Sequence, residues 1–275
     1  MKIIKPYIIV ENRNRIDGAR ILEDLERYGR KCYQSEGLAH GKKFVIKLSD
    51  LSDKEVVIDA WEQPTITNDY LFLSEEKKEA LAKKLGFDYI PQVSVPLLRI
   101  IPASSREFIK KIIDRKHYSI LEHEKITVSV ICDRGVTHEI VRHRIASYSQ
   151  ESTRYCNYSS GKFGKEITVI MPCFWDSGSV EDKMKFGIWE SAMKFAEESY
   201  LKLIELGATP QEARSVLPNS LKTEIVITFN LRQWRHFFTL RCSSKAHPQM
   251  REVAFSLFEE FREMIPVIFD DIVFE

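Results

Sequence analysis

The chain of 275 residues carries 41 lysines and arginines against 40 aspartates and glutamates, so its formal net charge is +1 at pH 7. This balance gives no sign of a polyanionic partner such as nucleic acid, or of an anionic membrane surface. Hydrophobic residues make up 44% of the chain, enough for a sizeable core. No run reaches the roughly 18–20 apolar residues that a membrane-spanning helix needs.

The cysteines are scattered and never form a Cys-x-x-Cys pair, which predicts a reducing compartment with neither a disulfide framework nor a structural zinc site. The histidines predict no metal site either, because the sequence after His123 lacks the second histidine of a His-Glu-x-x-His motif. The amino terminus shows no signal peptide. We therefore expect a cytoplasmic protein without bound metal. The five cysteines are Cys32, Cys132, Cys156, Cys173 and Cys242.

The first hundred residues predict a strand, a helix and an insertion. Residues 7–10 favour a short strand, and apolar residues from Ala19 to Tyr28 repeat at helical spacing, with Gly29 as the expected C-cap. Residues 38–100 carry charged clusters and three prolines. They are interpreted as an insertion with one short helix near residues 75–85.

The pattern becomes more regular from residue 104. Residues 104–107 spell a capping box, Ser-Ser-Arg-Glu, at the start of a helix. Alternating apolar residues predict a strand over residues 126–132. Thr137 is expected to cap a helix that carries residues 138–144, and a polar, irregular segment then continues to Tyr155.

The last third of the chain predicts two strands and four helices. The strands cover residues 167–171 and 223–229, and the helices cover residues 180–206, 209–217, 231–242 and 248–265. The second of these helices opens with a capping box at Thr209 and stops before Pro218. A stripe on the long helix is expected to lie in the core: Met184, Ile188, Ala192, Phe195 and Ala196. The mixed order predicts an α+β (mixed α/β) fold, in a single domain over residues 1–275 with the insertion inside it.

The stretch from Arg142 to Tyr155 is suited to holding an anion. It contains three arginines, a histidine, three serines and a glutamine. Arginine offers a planar fork of donors that matches phosphate, and serine hydroxyls add neutral donors. The alternative interpretation is a solvated basic helix end followed by a polar turn.

The spelling of this stretch resembles the signature of the flavin-dependent thymidylate synthases. The match consists of Arg142-His143-Arg144, seven further residues, Ser152 and Arg154-Tyr155. Three more stretches resemble family motifs in the family's order, over residues 117–123, 213–219 and 230–241. The resemblance implies antiparallel strands flanked by helices, and a homotetramer with active sites shared between subunits.

A uridylate substrate needs a phosphate clamp and an electron-rich C5. Arg154 and Ser152 fit the clamp, and Arg214 can supply a second charge. A guanidinium at Arg241 beside the uracil N3–O4 edge would favour the N3-deprotonated base, which is the role of the matching arginine in the family. The alternative for Arg241 is a helix C-terminal cation that interacts with the dipole. The set expected to bind dUMP is Glu139, Arg142, Gln150, Glu151, Ser152, Thr153, Arg154, Arg214 and Arg241, of which Arg241 is the catalytic residue.

The flavin site follows from the resemblance, since the chain has no Gly-x-Gly-x-x-Gly motif and no complete P-loop. Arg232 and His236 lie four apart, so they share one helical face. The alternative for His236 is a half-buried histidine beside Trp234 and Phe237. The residues mapped to FAD are Ser119, Arg142, His143, Arg144, Gln150, Asn230, Arg232 and His236.

The residues offer two other chemistries for this site. A cysteine nucleophile finds weak support, because Pro172-Cys173 lacks a following histidine. Ser152 has no obvious base and is interpreted as a donor to phosphate.

The sequence departs from the family pattern at Lys245, where the family usually has histidine. Lysine keeps a hydrogen-bond donor but loses the proton switch near neutral pH.

The prediction is a methyltransferase that converts dUMP to dTMP with FAD as cofactor, methylenetetrahydrofolate as one-carbon donor and NADPH as reductant. Its partners are then dUMP, folate, pyridine nucleotide and further copies of the chain, with no membrane and no stable nucleic-acid partner. Two alternatives stay open. One is a flavoprotein that methylates or hydroxymethylates another pyrimidine nucleotide, and the other is a non-enzymatic nucleic-acid-binding protein.

Overall fold

The computed structural model describes residues 1–34, 43–48, 55–59, 98–175, 177–265 and 267–274. Its strands are β1 (Lys2–Ile4), β2 (Tyr7–Val10), β3 (Lys43–Leu48), β4 (Glu55–Asp59), β5 (Leu98–Pro102), β6 (Lys125–Asp133), β7 (Ser147–Gln150), β8 (Thr168–Ile170) and β9 (Lys222–Asn230). Its α-helices are α1 (Gly18–Cys32), α2 (Ala103–Asp114), α3 (Arg134–Ile140), α4 (Val180–Glu205), α5 (Pro210–Ala213), α6 (Leu231–Arg241) and α7 (Pro248–Met264). Within these ranges, no helix combines the length and hydropathy needed to cross a membrane.

The chain divides into two compact units. The first unit contains Met1–Arg13, Lys125–Glu259 and Ile272–Glu275, and the second contains Asn14–Glu124 and Glu260–Asp271. The mixture of helices with mainly antiparallel strands confirms the α+β (mixed α/β) class.

The first unit is organised around a four-stranded antiparallel sheet in the order β2-β6-β9-β7. In β9, the side chains of Thr223, Ile225, Ile227 and Phe229 are buried while their neighbours are less so, as the alternating sequence predicted. The predicted strands at β2, β6 and β9 are confirmed. The predicted helices at α4, α6 and α7 are confirmed as well. Thr209 caps α5, and its backbone N–H donates to Glu212 Oε2 at 2.7 Å.

Helix α4 covers a smaller sheet of β1 and β8, which pair in parallel. It does so with a face different from the predicted one: Met193 and Tyr200 are buried against Val169. The predicted core stripe is wrong, because Met184, Ile188 and Phe195 are between 65% and 71% exposed. The helix is apolar on two faces, and periodicity cannot tell which of the two the chain itself covers.

Two predictions at the start of the signature are also wrong. Helix α3 begins at Arg134, because the side chain of Asp133 accepts from Val136 N at 2.8 Å; Thr137 is buried inside the helix and donates to Arg134 O. Residues 147–150, expected to be irregular, form β7 at the edge of the sheet and pair with β9. Polar residues suit an edge strand whose outer face meets water.

The second unit holds α1, α2 and a three-stranded antiparallel sheet in the order β4-β3-β5. These strands lie in the predicted insertion, where no strand was expected; the helix predicted near residues 75–85 falls outside the described residues. The capping box over residues 104–107 is wrong, because Ser104 and Ser105 lie inside α2 and donate to the buried carboxylate of Glu26 at 3.1 and 2.6 Å.

Gly29 does not end α1, which continues to Cys32. Instead, Gly29 lies where a Cβ atom would be 2.6 Å from Cε1 of Phe108 and 2.9 Å from Cδ1 of Ile120. The missing side chain therefore allows α1 to pack closely against the ring of Phe108, so this glycine is explained by packing rather than by a turn.

Candidate functional site

The site is built where the end of α3 and the residues that follow it meet α6. Helix α3 stops at Ile140, so Arg142, His143 and Arg144 lie just beyond its end. Tyr148 fixes this turn, because its hydroxyl lies 2.9 Å from Ile140 O and 2.6 Å from His143 O and shares its one proton between these two carbonyls. Burial raises the pKa of Tyr148 to about 12, so the hydroxyl keeps its proton and remains a donor.

Arg241, at the last position of α6, is held at three of its donors. Its Nη1 lies 2.7 Å from Glu139 Oε2, its Nη2 donates to Glu139 O at 3.0 Å, and its Nε donates to His143 Nε2 at 3.1 Å. A guanidinium has five N–H groups, so two are left for another acceptor. The side chain is 18% exposed. The structure thus fixes the orientation of the guanidinium and leaves one N–H on each terminal nitrogen, Nη1 and Nη2, for a ligand.

His143 is a buried, neutral histidine at the centre of this group. It is 4% exposed, and its ring centroid lies 5.0 Å from that of Phe237 and 5.6 Å from that of His236. Burial first, and then the charges of Arg241 and His236, lower its pKa to about 4. At neutral pH the ring therefore has one N–H and one acceptor nitrogen, and the acceptor faces Arg241.

The segment after β7 is fixed by an internal ion pair. Glu151 Oε2 lies 2.8 Å from Lys222 Nζ, and Tyr158 donates to Glu151 Oε1 at 2.9 Å. Both carboxylate oxygens thus hold the loop that carries Ser152 and Arg154. Arg154 is exposed, its backbone N–H donates to Ser152 Oγ at 3.3 Å, and its guanidinium lies over the ring of Tyr155.

Gln150 is turned toward the sheet. Its Nε2 donates to Thr137 Oγ1 at 3.0 Å and to Thr223 Oγ1 at 3.3 Å. These two bonds occupy the amide nitrogen, and the amide oxygen is left as the acceptor. Thr153 is buried beside this segment.

Four of the side chains predicted to bind FAD are exposed in the first unit. Arg232 and His236 are both exposed on one face of α6, as their spacing predicted. Arg142 and Arg144 are exposed as well. Asn230 caps α6, with its Oδ1 accepting from Gln233 N at 2.8 Å.

The contacts bring Glu139, His143 and Arg241 together, but they do not join Arg154 or Arg214 to that group. Arg214 is exposed at the start of a 3-10 helix, Arg214–Val216. Ser119 belongs to the second unit, where it is exposed in the 3-10 helix Tyr118–His123.

Sequence reasoning missed Gln233, whose amide Nε2 lies 3.1 Å from His143 Nδ1. Its spacing from Phe237 is one helical turn, so it lies on the buried face of α6. A polar residue at a buried helical position was the signal available in the sequence, but its partner is 90 residues away and could not be named.

Comparisons with known proteins identify the family of the chain. The family model described as thymidylate synthase complementing protein matches residues 27–267. Three relatives are named flavin-dependent thymidylate synthase. The one from Geobacter sulfurreducens is 36% identical over 60% of this chain and 68% of its own length. The one from Pyrococcus furiosus is 36% identical over 59% of this chain and 64% of its own length. The one from Sulfurisphaera tokodaii is 34% identical over 70% of this chain and 72% of its own length.

A solved structure shares the fold. A UMP/dUMP methylase, PolB from Streptomyces cacaoi bound with 5-Br UMP, superposes with a TM-score of 0.53 over 61% of this chain and 82% of that protein, at 23% identity. The matched segments of the three named relatives span 64% to 72% of their lengths. Because the family model covers most of the chain, this protein belongs to the thymidylate synthase complementing protein family, whose named relatives are flavin-dependent thymidylate synthases.

Proposed function

We propose that this protein catalyses the flavin-dependent reductive methylation of dUMP to dTMP. The observation that carries the proposal is the fixed guanidinium of Arg241, held by Glu139 and His143 with two N–H groups left over. Family membership supplies the reaction class, and this group supplies a place where a uracil ring can be recognised and activated.

Arg241 is the proposed catalytic residue. The N–H groups left on Nη1 and Nη2 can donate to acceptors in the plane of the guanidinium, and a uracil deprotonated at N3 offers N3 and O4 as such acceptors. The positive charge favours the anion over the neutral base. The anionic ring carries more electron density at C5, the carbon that receives the one-carbon unit. Because the guanidinium is already oriented, little reorganisation is needed when the charge develops.

The phosphate of dUMP is assigned to the loop that follows β7. Arg154 supplies an exposed charge, Ser152 and Thr153 supply hydroxyl and backbone donors, and Arg214 supplies a second charge. Glu151 serves this set by fixing the loop through Lys222. Glu139, Arg142 and Gln150 complete the proposed substrate set at the base.

The exposed donors of the first unit fit FAD. The guanidinium groups of Arg142, Arg144 and Arg232 match a pyrophosphate in charge and geometry, and the exposed ring of His236 can pack on a flavin. Gln150 and Asn230 complete the proposed FAD set of this unit, with His143 lying behind His236, and Ser119 of the second unit stays a prediction from the family resemblance. When bound, FAD supplies the redox chemistry. NADPH as reductant and methylenetetrahydrofolate as one-carbon donor are part of the same proposal.

A homotetramer with shared sites is the proposed assembly. Its support is the α4 apolar stripe, defined as Val180, Met184, Ile188 and Phe195, whose members are between 65% and 76% exposed. Large apolar residues that are contiguous on one helix face and open to water mark an interaction surface. Further copies of this chain are the proposed partners that cover it.

The test measures flavin binding and product formation together. The purified protein is incubated with FAD, and its visible absorption is recorded before and after addition of dUMP. Product is then assayed with methylenetetrahydrofolate and NADPH, using dUMP and UMP in parallel. Flavin binding, a spectral change with dUMP and formation of dTMP are expected. A protein that takes up no flavin and makes no dTMP would contradict the proposal, and methylation of UMP alone would assign it to another pyrimidine nucleotide.

The same assay tests Arg241. Arg241→Ala should lower turnover by about 100-fold or more, because a preorganised charge at the reacting base is lost. Flavin binding should persist. The matched control is Arg115→Ala, which removes an exposed arginine of the second unit and should leave turnover unchanged. Turnover of Arg241→Ala near that of the unmodified protein would refute the role.

A further inference from the structure

Gln233 lies behind the Arg241 group and does not face a ligand. It is 8% exposed, and its amide Nε2 is 3.1 Å from Nδ1 of His143. The other ring nitrogen, Nε2, accepts from Arg241 Nε at 3.1 Å. The three side chains therefore form one chain of hydrogen bonds that runs from the interior of α6, through the ring of His143, to the last residue of α6.

The direction of these bonds is fixed by proton counting. A neutral imidazole has one N–H and one acceptor nitrogen. Because Nε2 of His143 accepts from a guanidinium, which cannot act as an acceptor, the proton must be on Nδ1. A half-turn of the Gln233 amide exchanges its nitrogen and oxygen in place, so the same position presents the oxygen to this N–H.

We propose that Gln233 is a positioning residue that holds His143 in the Nδ1–H tautomer, so that Nε2 of His143 orients Arg241 toward the uracil edge. This inference rests on the proposed role of Arg241. In this inference, His143 and Gln233 affect the substrate base indirectly, because they orient the guanidinium that contacts it.

The surroundings of His143 explain why an internal partner is needed. Its ring packs on Phe229 and Phe237, so an N–H without an acceptor there would carry a desolvation cost. Without Gln233, the Nδ1–H tautomer would lose the hydrogen bond that favours it, and the Nε2–H tautomer would compete with it. Two donors, His143 Nε2–H and Arg241 Nε–H, would then face each other, and the guanidinium would lose one of its anchors.

Two substitutions distinguish the effect of Gln233 on the tautomer of His143 from its effect on packing. Gln233→Leu removes the acceptor while keeping a similar volume. Gln233→Glu keeps an acceptor and adds a negative charge beside Nδ1, which raises the pKa of His143. The charged or titratable groups already around the ring are Arg241 and His236 from α6, Glu139 from α3 through Arg241, and Tyr148 from β7. Gln249→Leu is the control, because Gln249 is a half-buried glutamine that bonds Asp133 Oδ2 at 3.0 Å.

The first readout needs no turnover. Holoprotein is mixed with 5-fluoro-dUMP, whose N3–H is more acidic than that of dUMP, and the ultraviolet difference spectrum gives the fraction ionised at N3 when bound. We expect a largely ionised ligand in the unmodified protein and in Gln249→Leu, and a smaller ionised fraction in Gln233→Leu at saturating ligand. A residue that only stabilised the fold would change the affinity or the melting temperature but not this fraction.

The second readout is the pH profile of kcat for dUMP. Gln233→Leu should lose about 10- to 100-fold in kcat, since a misplaced catalytic group costs that much, with little change in KM. Gln233→Glu should keep activity at high pH and lose it at a higher pH than the unmodified protein as the solution is acidified. The reason is that a protonated His143 has no acceptor for Arg241.

The outcomes are separable. An ionised fraction and kcat in folded Gln233→Leu equal to those of Gln249→Leu would overturn the inference, as would an acid limb of Gln233→Glu that does not move. If Gln233→Leu does not fold, the pH profile and the 5-fluoro-dUMP spectrum of Gln233→Glu decide alone. An unmodified protein that ionises bound 5-fluoro-dUMP but makes no dTMP would contradict the proposed function. The effect of the Gln233 substitutions on the ionised fraction could still be interpreted.

Discussion

Arg241 and Glu139 illustrate a contact whose value lies in geometry more than in stability. Both side chains are partly exposed, at 18% and 31%, and an ion pair of this kind stabilises a fold by only about 0–1 kcal/mol. The backbone oxygen of Glu139 and the ring of His143 add two further acceptors. Together they remove the rotational freedom that a long side chain would otherwise have to lose on binding a ligand.

The buried ring of His143 predicts a pH dependence of stability. Its pKa is lowered from 6.5 to about 4 in the folded protein. Between these values the unfolded chain binds a proton that the folded chain does not, so the free energy of unfolding falls as the pH falls through this window. The loss ascribed to His143 should reach at most about 3 kcal/mol and should stop growing below about pH 4.

Urea unfolding of the flavin-free protein between pH 7.5 and pH 4 measures this loss, with His143→Gln as the comparison. Carboxylates also titrate in this range, but they contribute equally to both proteins. The difference between the two free energies of unfolding should therefore shrink or reverse toward low pH. Parallel curves would show that His143 is not held neutral by the fold.

At the level of elements, close packing of α1 on α2 depends on one glycine. A Cβ atom at Gly29 would lie 2.6 Å from Cε1 and 2.7 Å from Cζ of the buried Phe108 ring. Alanine would gain about 1 kcal/mol of helix propensity, but overpacking costs about 1–3 kcal/mol. We expect Gly29→Ala to lower the free energy of unfolding by up to about 2 kcal/mol.

The matched control is Gly161→Ala, where a Cβ atom would meet no atom within 4 Å. Thermal and urea unfolding of the two variants should differ in direction or size, with Gly161→Ala within about 0.5 kcal/mol of the unmodified protein. A Gly29→Ala protein as stable as the control would mean that α1 ends or shifts near Gly29, as the sequence alone had suggested.

The elements that could be predicted are those with a clear period and a local end signal. Alternation identified β6 and β9, and the capping box at Thr209 identified α5. Strand β7 was not predicted, because Ser147–Gln150 is polar and forms a strand only through its pairing with β9. The buried face of α4 was predicted wrongly, because the helix is apolar on two faces. Which face is covered depends on the elements that pack against the helix and not on the period of its sequence.

The candidate site divides in the same way. Motif resemblance found Glu139, His143 and Arg241, which the fold brings into contact. It did not find Gln233, because that residue contributes through a contact 90 residues distant and carries no chemistry of its own. It also gave no reason for Glu151 to be acidic, which the ion pair with Lys222 now explains.

At the scale of the whole molecule, the proposed cofactor face and the α4 apolar stripe are both open in a single chain. Arg142, Arg144 and His236 are exposed, as are the four members of the stripe. Fully burying one such apolar side chain contributes about 1.5–3 kcal/mol, so the stripe offers substantial energy to an assembly.

The α4 apolar stripe therefore predicts the effect of charge on assembly. The double variant Ile188→Lys with Phe195→Lys should sediment as a smaller species than the unmodified protein, because burying unpaired ammonium groups in an apolar interface is costly. Its far-ultraviolet circular dichroism should be unchanged, since both side chains are about 71% exposed in the single chain. The control, Lys183→Glu, alters an exposed residue of α4 outside the stripe and should sediment normally. If sites are shared, FAD affinity should fall together with the size of the assembly. A double variant that sediments like the unmodified protein would show that the stripe is not the interface, and loss of assembly with full FAD affinity would show that each chain holds its cofactor alone.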